Sequence, residues 1–415
     1  MAVPNAAYPA LDQIIWEMER TGSGHYLHIG AALEFEGPPP RLDAVREHVL
    51  RRTAGLPQAA DGGCDPGDRV RELRLAPGAR PYDALLDAPV PGVGRPWGVW
   101  LVHGHEPGRH LLAYRGHHGL HDGVSMARIL PVLFGAEERT GEDGGLPASG
   151  TAPAGRPAAP PLAARLPAQA RQAAASLRLF LPAPSTPLTP GPRAGRRVLS
   201  TASVSVDLLR STARRLGCSV LDVHLSALSR TAQRADRTGW TAERGRPRGI
   251  AVPVSLTRTE RGPYPGNRFS VVLLDVPYDE PDLARRARLL SRQTRRYREP
   301  ATRWALGDAL GRLGVGGTRA VSDRIFARTG VQTTVLTTSA DLGFAGRPAV
   351  RLTGLNCLPA DFPYQPVLAL WRDEAVCSFT ADASVPDAAL LAGHWREAVE
   401  VLVRDAGGAG AARAG

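Results

Sequence analysis

The chain has 415 residues, 43% of them hydrophobic, and a formal net charge of +11, enough for one large domain or two of ordinary size. No stretch approaches the roughly 18 consecutive apolar residues of a membrane span. All 51 basic residues are arginine, so an internal aldimine with pyridoxal phosphate, a Walker A lysine and the strand lysine of protein kinases are excluded.

The lack of lysine fits a GC-rich coding bias. The arginine excess suits an anionic partner: a coenzyme A phosphate, an acidic carrier protein, or a membrane surface touched at most peripherally. The arginines alternate with 40 acids, without an aromatic-basic platform or zinc-finger spacing, so nucleic acid is not an expected partner. The first 20 residues have no basic start and no long apolar core, unlike a signal peptide. Cys64, Cys218, Cys357 and Cys377 are far apart. The simplest expectation is a cytoplasmic chain with free thiols.

In chain order, "PALDQIIWEMER" places Leu11, Ile14, Ile15 and Met18 at helical spacing. "YLHIGAALEFEG" reads as a strand ending at Gly37, and "RLDAVREHVLRRTAGL" as a helix with Leu42, Val45 and Val49 on one side. "WGVWLVHGHE" and "RHLLAYRGHH" read as strands around the turn "EPGR", and "DGVSMARIL" opens a helix. Residues 146–193 hold eleven of the 37 prolines; only "AQARQAAASLRLFL" within them has helical character. A second mixed pattern follows: strand "RRVLSTASVSV", helix "DLLRSTARRLG" stopped at Gly217, and a helix capped by Ser219 and Asp222. "RGIAVPVSL" and "RFSVVLLDVP" read as strands. "PDLARRARLLSRQTRRYRE" is a helix whose basic face is expected in solvent. Four late strands, "TTVLTTS", "AVRLTGLN", "PVLALWRDE" and "AVCSFTAD", precede a last helix, "DAALLAGHWREAVEVLV". The expected division is residues 1–145 as an N-terminal domain, 146–196 as a linker or crossover arm, 197–405 as a C-terminal domain and 406–415 as a disordered tail.

Six of the eleven histidines fall between His103 and His121. "AYRGHHGLHDGVS" carries His117, His118, His121, Asp122 and Gly123. Three readings compete. The histidines are structural, bonded to backbone at strand ends. Or they ligate a metal, with His103 and His105 on one strand face and His117 or His118 with Asp122 completing the set. Adjacent strand residues face opposite ways, so His117 and His118 do not easily serve one ion. Or one imidazole faces the core and the other acts as a base, since a neutral imidazole takes a proton near pH 6.5. Asp122 would brace the loop by pairing with an arginine, and Gly123 would let the backbone turn tightly into the helix. The chain has no G-x-S-x-G elbow.

"HHGLHDG" matches the HHxxxDG pattern of the coenzyme A-dependent acyltransferase superfamily, which includes nonribosomal peptide condensation domains. "LDQIIWEMERTGSGHYLHIGAALEFEGPPP", "RPWGVWLVHGHEPGRHLLAYRGHHGLHDGVS" and "VPVSLTRTERGPYPGNRFSVVLLDVP" resemble, in order, segments of the bacterial wax ester synthase/diacylglycerol acyltransferase branch. The last includes a turn at Gly266, Asn267 and Arg268. The resemblance implies an α/β (α+β) chain of two chloramphenicol-acetyltransferase-like domains, a V-shaped pseudo-dimer with an active-site tunnel between them. It implies that His118 is the general base, that His117 faces the core and orders the loop, that Asp122 is structural, and that Asn267 and Arg268 form a structural motif.

One departure concerns the Asn-Val-Pro-Gly-Pro segment of the lipid-making members. Here "TTVLTTSADLGFAGRP" stands in its place, resembling the Ser-Asn-Leu-Gly type of other branches. Thr338 and Ser339 are candidate donors to a developing oxyanion. The departure speaks against wax ester or triacylglycerol synthesis and for a smaller acceptor in specialised metabolism.

The implied activity is acyl transfer from a thioester to a hydroxyl or amine. The co-substrate would be acyl-CoA or a phosphopantetheine thioester on an acidic acyl carrier protein, with a small-molecule alcohol or amine as acceptor and with no permanent cofactor and no metal. Alternatives are a condensation-type ester or amide synthase using carrier-bound substrates, a wax ester or triacylglycerol synthase, and a non-catalytic binding protein of the same fold.

Overall fold

A computed structural model describes residues 10–21, 26–54, 66–91, 96–135, 160–179, 194–242, 249–256, 267–360 and 362–411. Cys64, Gly266 and most of the expected linker lie outside them. The chain divides into two compact units. The first comprises 1–157, 257–268 and 336–357; the second comprises 158–256, 269–335 and 358–415. Asn267, Arg268 and residues 336–357, assigned by sequence to the C-terminal domain, therefore fall in the first unit.

The first unit opens with α1 (Ala10–Thr21), β1 (His28–Glu36), α2 (Leu42–Thr53), β2 (Val70–Arg74) and α3 (Pro81–Asp87). It continues through β3 (Trp97–His103), β4 (Arg109–His117) and α4 (Gly123–Phe134). Its late segment adds a small hairpin, β10 (Gly343–Phe344) with β11 (Arg347–Pro348), and β12 (Arg351–Leu355). The five-stranded sheet has the order β12-β1-β4-β3-β2. All its pairings are antiparallel except β2 with β3. Its central strands are buried almost throughout, which explains why they read as continuous apolar runs and not as alternation.

Near the end of β4 sits a buried cation. Arg115 donates to the carbonyls of Leu85, Leu86 (3.2 Å) and Ala88 (2.8 Å) at the end of α3. Its guanidinium lies 4.9 Å from the Trp100 ring centroid and 5.5 Å from that of Tyr26. The last carbonyls of a helix carry partial negative charge, and with two aromatic faces they stand in for a carboxylate.

The second unit holds α5 (Leu162–Leu179), β5 (Arg197–Ser205), α6 (Val206–Leu216), α7 (Val220–Ala235), β6 (Gly249–Ser255) and β7 (Phe269–Asp275). After these come α8 (Leu283–Arg295), α9 (Pro300–Phe326) and β8 (Thr329–Gln332). Strand β9 (Thr334–Thr338) follows, its first two residues in this unit and the rest in the first; β13 (Tyr364–Trp371), β14 (Glu374–Asp382) and α10 (Leu391–Ala411) close the unit. One sheet has the order β5-β14-β13-β9 and another β7-β6-β8. The core is apolar side chains of α6, α7, α8 and α10 against β13 and β14, including Leu209, Leu228, Leu290, Leu368, Phe379 and Leu402. Burying each is worth about 1.5–3 kcal/mol.

Both predicted helix signals act here. Gly217 takes φ +66 to end α6, and Ser219 with Asp222 forms a reciprocal capping box on α7. Three expectations are corrected. The proline-rich arm contains an eighteen-residue helix, α5, longer than the helical stretch read there. The tail expected to be disordered from 406 is helical to Ala411, as a continuation of α10. The basic face of α8 is not wholly solvated: Arg286 is buried, donating to Ser229 Oγ (2.7 Å), Gln233 Oε1 (3.0 Å) and the carbonyls of Tyr278 and Glu280 (both also accept from it within 3.2 Å).

Candidate active site

Strand pairing places the histidines. β4 pairs with β1 up to His117 opposite His28. Beyond that point the backbone is held from both sides. The N–H of His117 donates to the Pro96 carbonyl (2.8 Å) and that of His118 to the Leu27 carbonyl (2.8 Å). The Leu120 N–H returns to the His117 carbonyl (2.9 Å), closing the turn.

The two imidazoles meet different surroundings. His117 is fully buried. Its ring stacks on Trp16, with centroids 3.8 Å apart and planes 16° apart. Its Nδ1 accepts from the Gly119 N–H (3.0 Å), which puts the proton on Nε2. That nitrogen lies 3.3 Å from a Glu19 carboxylate oxygen. The imidazole holds the Glu19 carboxyl below the usual range. His118 is only half-buried. Desolvation lowers its pKa, against the opposing pull of Asp122. The ring is therefore neutral at pH 7, the form that accepts a proton. His121, the third of the run, is fully buried and desolvation lowers it to about 3.

Asp122 is the N-cap of α4. One carboxylate oxygen accepts from the Ser125 N–H (2.9 Å), and the other from the Arg268 backbone N–H (3.1 Å). It reaches the backbone amide of Arg268, and so the expected pairing with an arginine takes a different form. The entry to the helix is made by this cap. Gly123 is the first helical residue and is not among the glycines at positive φ, so left-handed freedom is not what it supplies.

Asn267 is joined to the same loop. Its Nδ2 donates to the His118 carbonyl (2.6 Å) and to Asp12 Oδ1 (2.6 Å), and its backbone N–H donates to the same Asp12 oxygen (3.0 Å). Asp12 is buried, and burial raises its pKa to about 6 despite these bonds. The structure thus brings together His117, His118, Asp122, Asn267 and the backbone of Arg268. It adds Asp12, Trp16 and Glu19, which sequence reasoning missed. Their spacing in α1 was the available signal, overshadowed by the apolar positions between them.

Thr338 ends β9 and its Oγ1 accepts from the Ala340 N–H (3.3 Å), while Ser339 is exposed. His103 Nε2 bonds to Glu72 (2.8 Å), and β3 ends there, so His105 does not continue its strand face. Among the described residues no cluster of His, Cys, Asp and Glu is arranged to hold a metal ion. Among them, too, no helix is long and apolar enough to cross a membrane.

The fold is shared with acyltransferase and condensation-domain structures. The wax ester synthase/diacylglycerol acyltransferase from Marinobacter aquaeolei VT8 aligns at a TM-score of 0.60 and 16% identity, over 96% of this chain and 98% of that one. The first condensation domain of the CDA synthetase aligns at 0.61 and 17%, over 96% of each chain. A mutant starter condensation domain of rhizomide synthetase, in complex with C8-CoA and Leu-SNAC, aligns at 0.61 and 17%, over 97% and 94%. No protein-family model and no curated protein matches the chain. The expected α/β class of fold is the one observed.

Proposed function

We propose that the protein is an acyltransferase, moving an acyl group from a thioester to a hydroxyl or amine acceptor with His118 as general base. The observation that carries this reading is the division of labour between neighbouring imidazoles. His117 is buried, its Nδ1 accepting from the Gly119 N–H and its Nε2 3.3 Å from a Glu19 carboxylate oxygen. His118 is half-buried and neutral at pH 7. His118 takes the proton of the acceptor as its oxygen or nitrogen attacks the thioester carbonyl. The C–S bond then breaks, and the thiolate leaves with a proton from the imidazolium. His117 orders the loop, and Asp122 ties the start of α4 to the Arg268 backbone.

Thr338 and Ser339 are the candidate donors to the oxyanion in this reading, each worth roughly 3 kcal/mol if so placed. The thioester is an acyl-CoA or a carrier-bound phosphopantetheine. A structural neighbour of this fold holds both C8-CoA and Leu-SNAC.

The test is thiol release from acyl-CoAs of several chain lengths, with a panel of alcohols and amines, for the wild type and His118→Ala. Acceptor-dependent release that the variant loses supports the reading. Release from a carrier-bound thioester only, lost at high salt, would move the donor to a carrier protein. Identical behaviour of wild type and variant would refute a catalytic His118.

A further inference from the structure

Three side chains of α1 reach the histidine loop from one edge of the helix. Asp12, Trp16 and Glu19 stand at i, i+4 and i+7, and therefore share a face. Trp16 covers the His117 ring, Glu19 meets its Nε2, and Asp12 holds Asn267, which holds the His118 carbonyl. We propose that α1 is a clamp on the histidine pair and that Asp12 is a positioning residue for His118, acting through Asn267. This rests on the reading of His118 as the base, and goes beyond it in assigning what aims that base.

The argument is one of donors and acceptors. A carboxylate offers only acceptors, and so does the His118 carbonyl. An amide lodged between two acceptors must turn its NH2 to both. Asn267 does so, with Nδ2 2.6 Å from each, and so has a single orientation. A neutral amide in place of Asp12 keeps its oxygen toward the Asn267 N–H and Nδ2, but it accepts them without charge, and a charge-assisted hydrogen bond is roughly twice as strong as a neutral one. The charge of the ionised carboxylate is therefore what tightens the arrangement that pins the His118 backbone.

Ionisation of Asp12 is balanced by its neighbours. Asp122, at the N-cap of α4, opposes the charge; Arg268, beside Asn267, favours it, as do the two bonds from Asn267. Burial outweighs these and sets the midpoint at about 6. The clamp should loosen as pH falls through that value.

The test uses Asp12→Asn, which keeps the shape and an acceptor oxygen but removes the charge. It is read by thermal unfolding, by kinetics from about pH 5 to 8, and by nitrogen-15 spectra of the histidine rings, with His118 assigned by its loss in His118→Ala. The variant is expected to stay folded at pH 7.5, with kcat down roughly ten- to hundredfold and KM little changed. In the wild type the His118 ring signals should report a second group titrating near pH 6, and in the variant they should not. Asn267→Ala should show the same kcat loss, and adding Asp12→Asn to it should cost no more. Wild-type kcat and spectra in Asp12→Asn would overturn the proposal. So would a kcat loss matched by a fall in Tm with the second titration retained. If the wild type transfers no acyl group, the functional reading fails and the ring spectra still decide whether Asp12 acts on His118.

Discussion

Trp16 and His117 stack at 3.8 Å, and the same indole lies against Gly119. A Cβ at Gly119 would sit 2.6 Å from Trp16 Nε1, well inside contact distance. Gly119→Ala must push the indole or the turn aside. Overpacking of this kind costs about 1–3 kcal/mol. Activity per folded molecule should fall at least tenfold, because the displaced turn carries His118. Urea unfolding and steady-state kinetics on one preparation would show both. A variant with wild-type stability and rate would mean that the stack does not constrain the loop.

The rate should depend on pH through a neutral His118. Burial lowers its pKa from the usual 6.5, so kcat/KM should be flat around pH 7–8 and decline only below about 6.5. A decline centred above 6.5 would assign the limb to another group.

Asp12 gives a stability prediction of the opposite sense from acids held by a cationic partner. Its pKa rises on folding from 3.8 to about 6. Its contribution to stability is therefore fully present below pH 3.8 and lost as pH rises through about 6. At pH 7.5 the ionised group costs up to roughly 3 kcal/mol. Asp12→Asn should raise Tm at pH 7.5 and converge with the wild type below about pH 4. A variant less stable at both values would show that the bonds from Asn267 outweigh burial.

Arg115 is the structural counterpart. Replacing it with Met leaves the Leu85, Leu86 and Ala88 carbonyls without their donor inside the first unit. The expected loss is about 2–4 kcal/mol in urea unfolding. A shift of less than about 0.5 kcal/mol would show that water replaces the guanidinium.

Thr338 and Ser339 separate the oxyanion assignment from the base assignment. Thr338→Ala with Ser339→Ala should lower kcat by a hundredfold or more and leave the pH profile in place. An unchanged kcat would remove both residues from the site.

Much of the fold was legible because its strands are uniformly apolar and its helices carry local signals. The His117–His118 step could be placed at a strand end because "RHLLAYRGHH" has no internal break. What escaped has a physical reason in each case. β2 is "VRELR", with one buried residue, Val70, and charged neighbours in solvent, so it does not read as a strand. α9 is masked by "GRLGVGG", and it kinks at Gly314, whose φ is +59. Arg286 looked like one more surface charge until its carbonyl and side-chain acceptors were assembled from distant residues. Asp12 carried no signal beyond its spacing with Trp16 and Glu19: its partner, Asn267, lies 255 residues away.

That separation has a consequence for how the molecule is made. The first unit needs 257–268 and 336–357 as well as its opening stretch. β1 gains its second neighbour, β12, only when residue 355 has emerged, and Asp12 waits for Asn267. Until then β1 presents an open, apolar edge of the kind prone to pairing with other chains, and the loop lacks its brace. Such long loops close slowly. A fragment ending near residue 157 should therefore be recovered mostly in aggregates, and adding the remaining chain in trans should rescue it only in part. Synthesis of this protein carries a window of about 145 codons, from Asp122 to Asn267, in which the residues of the histidine loop exist but are not yet held.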